Sequence, residues 1–162
     1  MPRHASATRE APPRRPTCPE YNPDVILDGH RQNGLIVERL RASLADLVAV
    51  YRFGSTAQGT ATDASDVDVA VLATRPVPPE RCFEIQEWLA ADLGRDVDLV
   101  DLGRASTVLA MQVIAGGELL HDGDSAARGQ FEDLTFSAYA RLNEERRAIL
   151  QRVAAEGTIY GR

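Results

Sequence analysis

The sequence predicts one α/β domain in which short strands alternate with amphipathic helices and a long helix forms the C-terminal part. Three segments, LVAVYRF, DVDVAVL and DVDLVDL, are rich in β-branched residues or alternate apolar with polar residues, as strands do. The segments around them place apolar residues at helical spacing. With 162 residues and 44% hydrophobic content, the chain fits one ordinary globular domain without internal repeats.

The first 24 residues predict a disordered tail before this domain, which occupies residues 25–162. The tail holds six of the nine prolines, with arginines among them, and this composition cannot build an apolar core. Its basic start lacks the apolar segment of a signal peptide, and no apolar run in the chain reaches the roughly 18 residues of a membrane span. We therefore expect a cytoplasmic protein with no membrane partner.

The elements of the domain follow from changes in the period of the apolar residues. In chain order, the patterns predict an amphipathic helix to about Ala45, a strand over Leu47–Phe53, a strand over Asp66–Leu72, a helix over about Glu80–Leu93, a strand over Asp96–Leu102, a helix from the cap Ser106 through Ile114, a short strand over Glu118–His121, and a helix over about Ala126–Ala155. The last helix has an apolar stripe that we expect to face inward, formed by Phe131, Leu134, Ala138, Leu142, Ile149 and Val153.

Charge and cysteine content exclude several classes of function. Twenty-four acidic residues against 18 basic ones give a formal charge of −6, which argues against direct, non-specific binding of nucleic acid. Cys18 and Cys82 are far apart and lack the spacing of a disulfide framework or a zinc site. The three histidines, His4, His30 and His121, show no metal-ligand spacing either.

The most informative feature is the pair Gly54-Ser55, followed after ten residues by Asp66-Val67-Asp68. Because side chains alternate along a strand, Asp66 and Asp68 project together on one face, and their mutual repulsion is relieved by a divalent cation such as Mg²⁺. Gly54 lets the backbone approach a phosphate closely, and Ser55 offers its hydroxyl and amide N–H groups to phosphate oxygens. The pattern predicts a triphosphate cradle beside a metal site.

A third carboxylate is expected from the strand DVDLVDL, which offers three aspartates. Asp96 and Asp98 share one face and Asp101 takes the other. Asp96 begins the strand beside Arg95, where a turn explains it, whereas Asp98 lies between two apolar residues. We expect Asp98 to act as a metal ligand or as the general base that accepts the proton of an attacking hydroxyl.

These residues carry a resemblance to a known family. The segment FGSTAQGTATDASDVDVAVL resembles the signature of the nucleotidyltransferase superfamily, which includes polymerase β, the kanamycin nucleotidyltransferases and the minimal nucleotidyltransferases. The similarity continues through GRDVDLVDLGRASTVL, IAGGELLHDGD and YARLNEERRAILQRVAAEGTIYG, and it covers about Leu44 to Gly161. Together the segments look like the MntA-type antitoxins of HEPN/MNT, or type VII, toxin–antitoxin pairs.

The resemblance implies the polymerase β-like nucleotidyltransferase fold, with a small mixed sheet flanked by helices. It also implies ATP as substrate, Mg²⁺ in a two-metal type of site, and transfer of AMP to a tyrosine of a cognate HEPN toxin, a helical RNase that is thereby blocked. Carried over residue by residue, Gly54 and Ser55 match the phosphate-binding pair, Asp66 and Asp68 the metal-binding aspartates, and Asp98 the third carboxylate.

The chain departs from this pattern at one point. Many relatives have one or two arginines directly after the Gly-Ser pair, where this chain has Thr56-Ala57-Gln58. The phosphate charge would then fall more heavily on the metal, or on Arg52 if that strand residue points into the cleft.

A single domain of this length has little room for a second substrate, so we expect a partner protein to bring the acceptor. The candidate docking residues for this partner are Phe131, Phe136 and Tyr139 of the last helix, unless the helix only packs on its own sheet.

Two further functions stay open at this point. The first alternative is an antitoxin that acts by binding alone. The second is nucleotide transfer to a small molecule such as an aminoglycoside.

Overall fold

The computed structural model describes residues 29–54 and 66–156, which form one sheet with helices on both of its faces. The elements within these ranges are the helices α1 (Gly29–Ser43), α2 (Pro79–Leu93), α3 (Thr107–Gly116) and α4 (Ser125–Glu156), and the strands β1 (Leu47–Phe53), β2 (Val67–Ala73), β3 (Val97–Asp101) and β4 (Glu118–Asp122). They confirm the predicted order of helices and strands. The tail predicted over residues 1–24 lies outside the described residues, as does Ser55.

The four strands form one mixed sheet in the order β3-β2-β1-β4. β1 pairs antiparallel with both β2 and β4, while β2 pairs parallel with β3. A parallel pair needs a long crossover connection, and α2 supplies it between β2 and β3. The register places Asp68 of β2 beside Asp98 of β3, and Phe53 of β1 opposite Asp68.

The two faces of the sheet carry separate apolar cores. On one face, α1 and α2 bury residues such as Ile36 and Ile85 against Val69. On the other face, α3 and α4 pack against Tyr51, Ala70 and their neighbours. Val69 and Asp68 are adjacent along β2 and therefore point to opposite faces. Asp68 consequently lies on the face of α3 and α4.

Local chemistry sets the ends of the helices. Proline occupies the first position of α2, where a backbone N–H would have no partner within the helix, and Gly94 ends this helix in the left-handed conformation with φ of 64°. Ser106 caps α3 by accepting a hydrogen bond from the backbone N–H of Leu109, at 3.2 Å. This confirms Ser106 as a helix cap.

The predicted inward stripe of α4 is wrong in its central part. Leu134 is 71% exposed, whereas Phe131 is partly buried against the core and Thr135 is buried. Leu142 and Ile149 are exposed as well. From Phe131 to Thr135, the positions that face the core follow the i, i+4 spacing of a helix. Burial does not continue further because only the first half of this helix has the sheet beside it. From Ala140 to Arg152 every side chain is exposed.

A polar network fixes the first half of α4 to the sheet. The hydroxyl of Tyr51 in β1 donates to Glu132 Oε1 at 2.9 Å, and Arg128 donates to the same oxygen at 2.7 Å. Burial and the neighbouring Glu132 carboxylate raise the pKa of Tyr51, so this phenol stays protonated and remains a donor. Just before α4, the Gly123 N–H donates to the carbonyl of Val48, and within α4 Glu132 accepts from the Tyr51 hydroxyl. The helix α4 therefore advances along β1 toward Gly54.

No helix within residues 29–54 and 66–156 combines the length and the apolar composition of a membrane span.

Candidate functional site

The predicted site residues that the structure describes lie together at one end of the sheet. Asp68 and Asp98 are register neighbours on the parallel strands β2 and β3, and parallel neighbours stand roughly 4.8 Å apart with side chains on the same face. Asp66 directly precedes β2 and is exposed. Gly54 follows the last residue of β1, whose partner in the ladder is Asp68. The two parts of the sequence pattern therefore converge in space.

The carboxylates act on one another electrostatically. The pKa of Asp68 is raised above its usual value, first by partial burial and then by the charges of Asp98 and Asp66. Both causes disfavour the ionised form of Asp68. A cation bound between these groups would remove the repulsion, so the cluster favours a positively charged ligand.

Gly54 lies so close to Asp68 that a larger residue at position 54 would force the Asp68 side chain to move. A Cβ atom built on Gly54 would overlap Oδ2 of Asp68 and lie 2.8 Å from its Cγ. The backbone of Gly54 also has a φ of 71°, a conformation that side chains other than hydrogen disfavour. Glycine is therefore favoured here for both steric and conformational reasons.

The donor chemistry of these residues fits a hard divalent cation. Mg²⁺ prefers oxygen ligands and usually takes one or two carboxylates, completing its shell with water and with phosphates of the substrate. Within residues 29–54 and 66–156, no three His, Cys, Asp or Glu side chains form a group that could hold a metal ion. Asp68 and Asp98 supply two carboxylates, and water and substrate phosphates would have to complete the shell of the ion.

Asp101, the aspartate on the other face of β3, has a structural role. Its side chain is only 4% exposed, its Oδ2 accepts a hydrogen bond from the Val77 N–H at 2.9 Å, and its Oδ1 accepts one from the Gly103 N–H at 3.0 Å. Both oxygens are thus used to hold the loops that flank β3. This separates Asp101 from the exposed Asp98, as the alternation of the strand predicted.

We expect Asp101→Asn to lower the free energy of unfolding by about 2 kcal/mol, because an amide offers only one oxygen to two backbone donors, of which the Val77 N–H is buried. Asp98→Asn is the matched control, since it removes the same charge from an exposed position on the same strand. Its stability should stay within about 0.5 kcal/mol of the unmodified chain. Urea denaturation of both variants measures the difference. Equal losses would contradict the structural role of Asp101.

Arg52 does not point toward the carboxylates. It pairs with Val69 in the ladder, so it shares the face of α1 and α2, and it is 8% exposed. Its Nη1 donates to Asn33 Oδ1 at 2.9 Å and its Nη2 to Gln32 Oε1 at 3.5 Å. The condition under which Arg52 would directly compensate phosphate charge on the carboxylate face is therefore not met.

Cys82 and Trp88 lie on α2, on the face of the sheet opposite to Asp68. Both pack at the edge of the core formed by α1 and α2, and Cys82 is a free thiol. The guanidinium of Arg81 lies over the Trp88 ring at 4.9 Å. The polar contact between Tyr51 and Glu132 was not predicted, because the sequence pattern shows which face a residue takes but not its partner on a distant helix.

Comparison with known proteins places this arrangement in a family. Residues 36–126 match the family described as polymerase beta, nucleotidyltransferase. The chain is 42% identical over 120 residues to protein adenylyltransferase MntA of Shewanella oneidensis, a match that covers 74% of this chain and 86% of MntA.

Solved structures give the same result. A toxin–antitoxin crystal structure with AMP-PNP contains a chain that is 40% identical, with a TM-score of 0.68, and the match covers 75% of this chain and 98% of that one. A structure of the tri-AMPylated Shewanella oneidensis HEPN toxin in complex with MNT antitoxin gives 36% identity and a TM-score of 0.65 over 77% of this chain and 98% of its match. The protein therefore belongs to the polymerase β-type nucleotidyltransferase family and, within that family, to its MntA-like members.

Proposed function

We propose that this protein is an antitoxin that transfers AMP from ATP to a tyrosine of a HEPN-type toxin and so neutralises it. The observation that carries the proposal is the convergence of Gly54, Asp68 and Asp98 in a chain that is 42% identical to a protein adenylyltransferase. The related structures that contain AMP-PNP and an AMPylated HEPN toxin support both the nucleotide and the acceptor. A reaction that uses ATP as its substrate is consistent with a protein that acts in the cytoplasm.

Asp66, Asp68 and Asp98 are the proposed ligands of Mg²⁺, in a site of the two-metal type. Bound there, Mg²⁺ would offset the negative charge of the triphosphate and of the α-phosphate of the transferred adenylyl group. Gly54 and Ser55 are proposed to contact the phosphates, since the glycine leaves its backbone open to a ligand. The close contact of Gly54 with Asp68 supports a single site that serves both the phosphates and the metal.

Asp98 is the proposed general base. It is exposed, so a hydroxyl group of an acceptor can approach it, and it stands beside Asp68 in the register of the parallel strands. A carboxylate at this position can accept the proton of the attacking tyrosine while the oxygen bonds to the α-phosphorus and pyrophosphate leaves. Asp101 cannot take this part, because both of its oxygens are used by backbone donors.

The second half of α4 supports a protein as acceptor. This helix advances along β1 toward Gly54, and beyond Tyr139 it has exposed apolar side chains, among them Leu142 at 39% and Leu150 at 60%. Of the candidate docking residues, Phe131 is partly buried against the core, while Phe136 is 43% exposed. We propose that a helical toxin packs against this apolar surface and presents its tyrosine to the carboxylates.

The test mixes this protein with ATP, Mg²⁺ and the HEPN-type product of a neighbouring gene. Mass spectrometry of the toxin should show the added mass of AMP on a tyrosine, and the modified toxin should no longer cleave RNA. Reactions without ATP are the control. Neutralisation without any added mass would instead favour an antitoxin that acts by binding. Nucleotide transfer to an aminoglycoside in the absence of a toxin would favour the small-molecule alternative.

A further inference from the structure

Arg52 is a buried charge whose hydrogen-bond partners are neutral side chains. The residue is 8% exposed, and its nearest hydrogen-bond partners in the described part of the chain are the neutral amides of Asn33 and Gln32. Its Nε has no acceptor among the described residues. Burial lowers the pKa of Arg52, as does the positive charge of Arg95, against the attraction of Glu118.

Packing alone does not require a charged residue at this position. Val50, two residues earlier on the same face of β1, is fully buried in the core of α1 and α2. An apolar side chain is therefore compatible with this face, and replacement of a buried charge by an apolar side chain of similar volume is often neutral or stabilising. Arg52 is better explained by what its guanidinium group holds in place than by a contribution to stability.

Arg52 is also the last residue of β1 that both neighbouring strands hold. The register of β1 with β4 ends at the pair Arg52 and Glu118, while the register with β2 ends one residue later, at Phe53 and Asp68. Gly54 lies beyond both ladders, and its backbone is so near the Asp68 carboxylate that an added Cβ atom would overlap Oδ2. The bonds from Arg52 to α1 thus fix β1 two residues before Gly54 on one face of the sheet, while Phe53 packs against the core of α3 and α4 on the other.

We propose that Arg52 is a positioning residue of the nucleotide site, which anchors the end of β1 to α1 and so holds the Gly54 backbone against Asp68. It acts from the opposite face of the sheet and does not contact the nucleotide. The inference rests on the proposed function, because that function assigns the phosphates of ATP to Gly54 and Ser55. A displacement of about 1 Å at such a position can cost two orders of magnitude in rate, so a firm anchor has a measurable effect.

The test measures the affinity of purified protein for AMP-PNP in the presence of Mg²⁺, together with thermal unfolding without nucleotide. Arg52→Met introduces an apolar side chain of similar length and removes all hydrogen-bond donors of the guanidinium group. We expect its Kd to rise about tenfold while its melting temperature stays unchanged or rises, since a buried charge has been removed. Asn33→Ala should weaken binding in the same direction, and the double variant should be no weaker than Arg52→Met alone.

Arg81→Met is the matched control. Arg81 also bonds to α1, at the carbonyl of Ser43, but it does so at the end of the helix that lies away from Asn33. We expect its Kd for AMP-PNP to stay within twofold of the unmodified protein. A purely structural role of Arg52 predicts a lower melting temperature with unchanged affinity, and that result would overturn the inference. If Arg52→Met does not fold, unchanged affinity in Asn33→Ala overturns it. Absence of AMP-PNP binding by the unmodified protein would overturn the proposed function and this role with it.

Discussion

Asp68→Asn should reduce AMP transfer to the toxin by about a thousandfold or more, because it removes the central carboxylate of the proposed metal site. The charges of both Asp66 and Asp98 act on Asp68. Loss of the Asp68 carboxylate would therefore leave these two without the group that both interact with. An asparagine has nearly the same volume and keeps the contact with Gly54, which makes the change chiefly one of charge. The measurement is the initial rate of AMP incorporation at saturating ATP and Mg²⁺.

The control for this variant is Asp46→Asn, which removes the same charge at the other end of β1. Asp46 accepts a hydrogen bond from Thr74 Oγ1 at 3.0 Å and lies far along the strand from Gly54. Its rate of transfer should stay within twofold of the unmodified protein. The two variants should also differ in stability. The folded state disfavours the ionised Asp68 carboxylate. When divalent cations are absent, the melting temperature of Asp68→Asn should therefore be at least as high as that of the unmodified protein.

The same variant separates the enzymatic antitoxin from one that acts by binding. A binding antitoxin needs the shape of its surface, which Asp68→Asn preserves, whereas an enzyme needs the metal site. We expect cells that express the toxin together with Asp68→Asn to stop growing. If they grow as well as cells with the unmodified antitoxin, and the toxin carries no AMP, the catalytic proposal fails.

The sequence predicted the elements well because each depends on local periodicity. The alternation of DVDLVDL placed Asp98 and Asp101 on opposite faces, and the structure confirms this, with Asp98 exposed and Asp101 buried. The sequence predicted Asp98 as the third carboxylate, but the apolar pattern alone does not specify that Asp98 stands directly beside Asp68. That neighbourhood depends on the register of two parallel strands, which the alternation within each strand leaves open.

The wrong expectation for α4 has a physical reason of the same kind. An apolar stripe indicates which face of a helix will be covered, but it does not tell how far the covering surface extends. Here the sheet covers the helix near Phe131 and Thr135 and ends before Leu142. Arg52 is a similar case, since its face follows from alternation but its amide partners on α1 depend on how the helix packs.

Gly54→Ala should reduce AMP transfer by about a hundredfold, because the added methyl group has no space beside Asp68. The new Cβ would overlap Oδ2 of that carboxylate, so either the aspartate must rotate away from the metal site or the end of β1 must move. The positive φ of 71° adds backbone strain of about 1 kcal/mol. Both routes displace groups that the reaction uses.

Gly129→Ala is the control, since a Cβ atom on Gly129 meets nothing within 4 Å and the residue lies inside α4. Alanine is the better helix former, so this variant should gain about 0.5 to 1 kcal/mol of stability and keep its full rate of transfer. The two Gly→Ala changes therefore have opposite expected signs for stability and differ about a hundredfold in rate. Rates of AMP incorporation and urea denaturation of both variants measure this contrast. A Gly54→Ala variant with full activity would show that the phosphates and the metal do not share the site formed by Gly54 and Asp68.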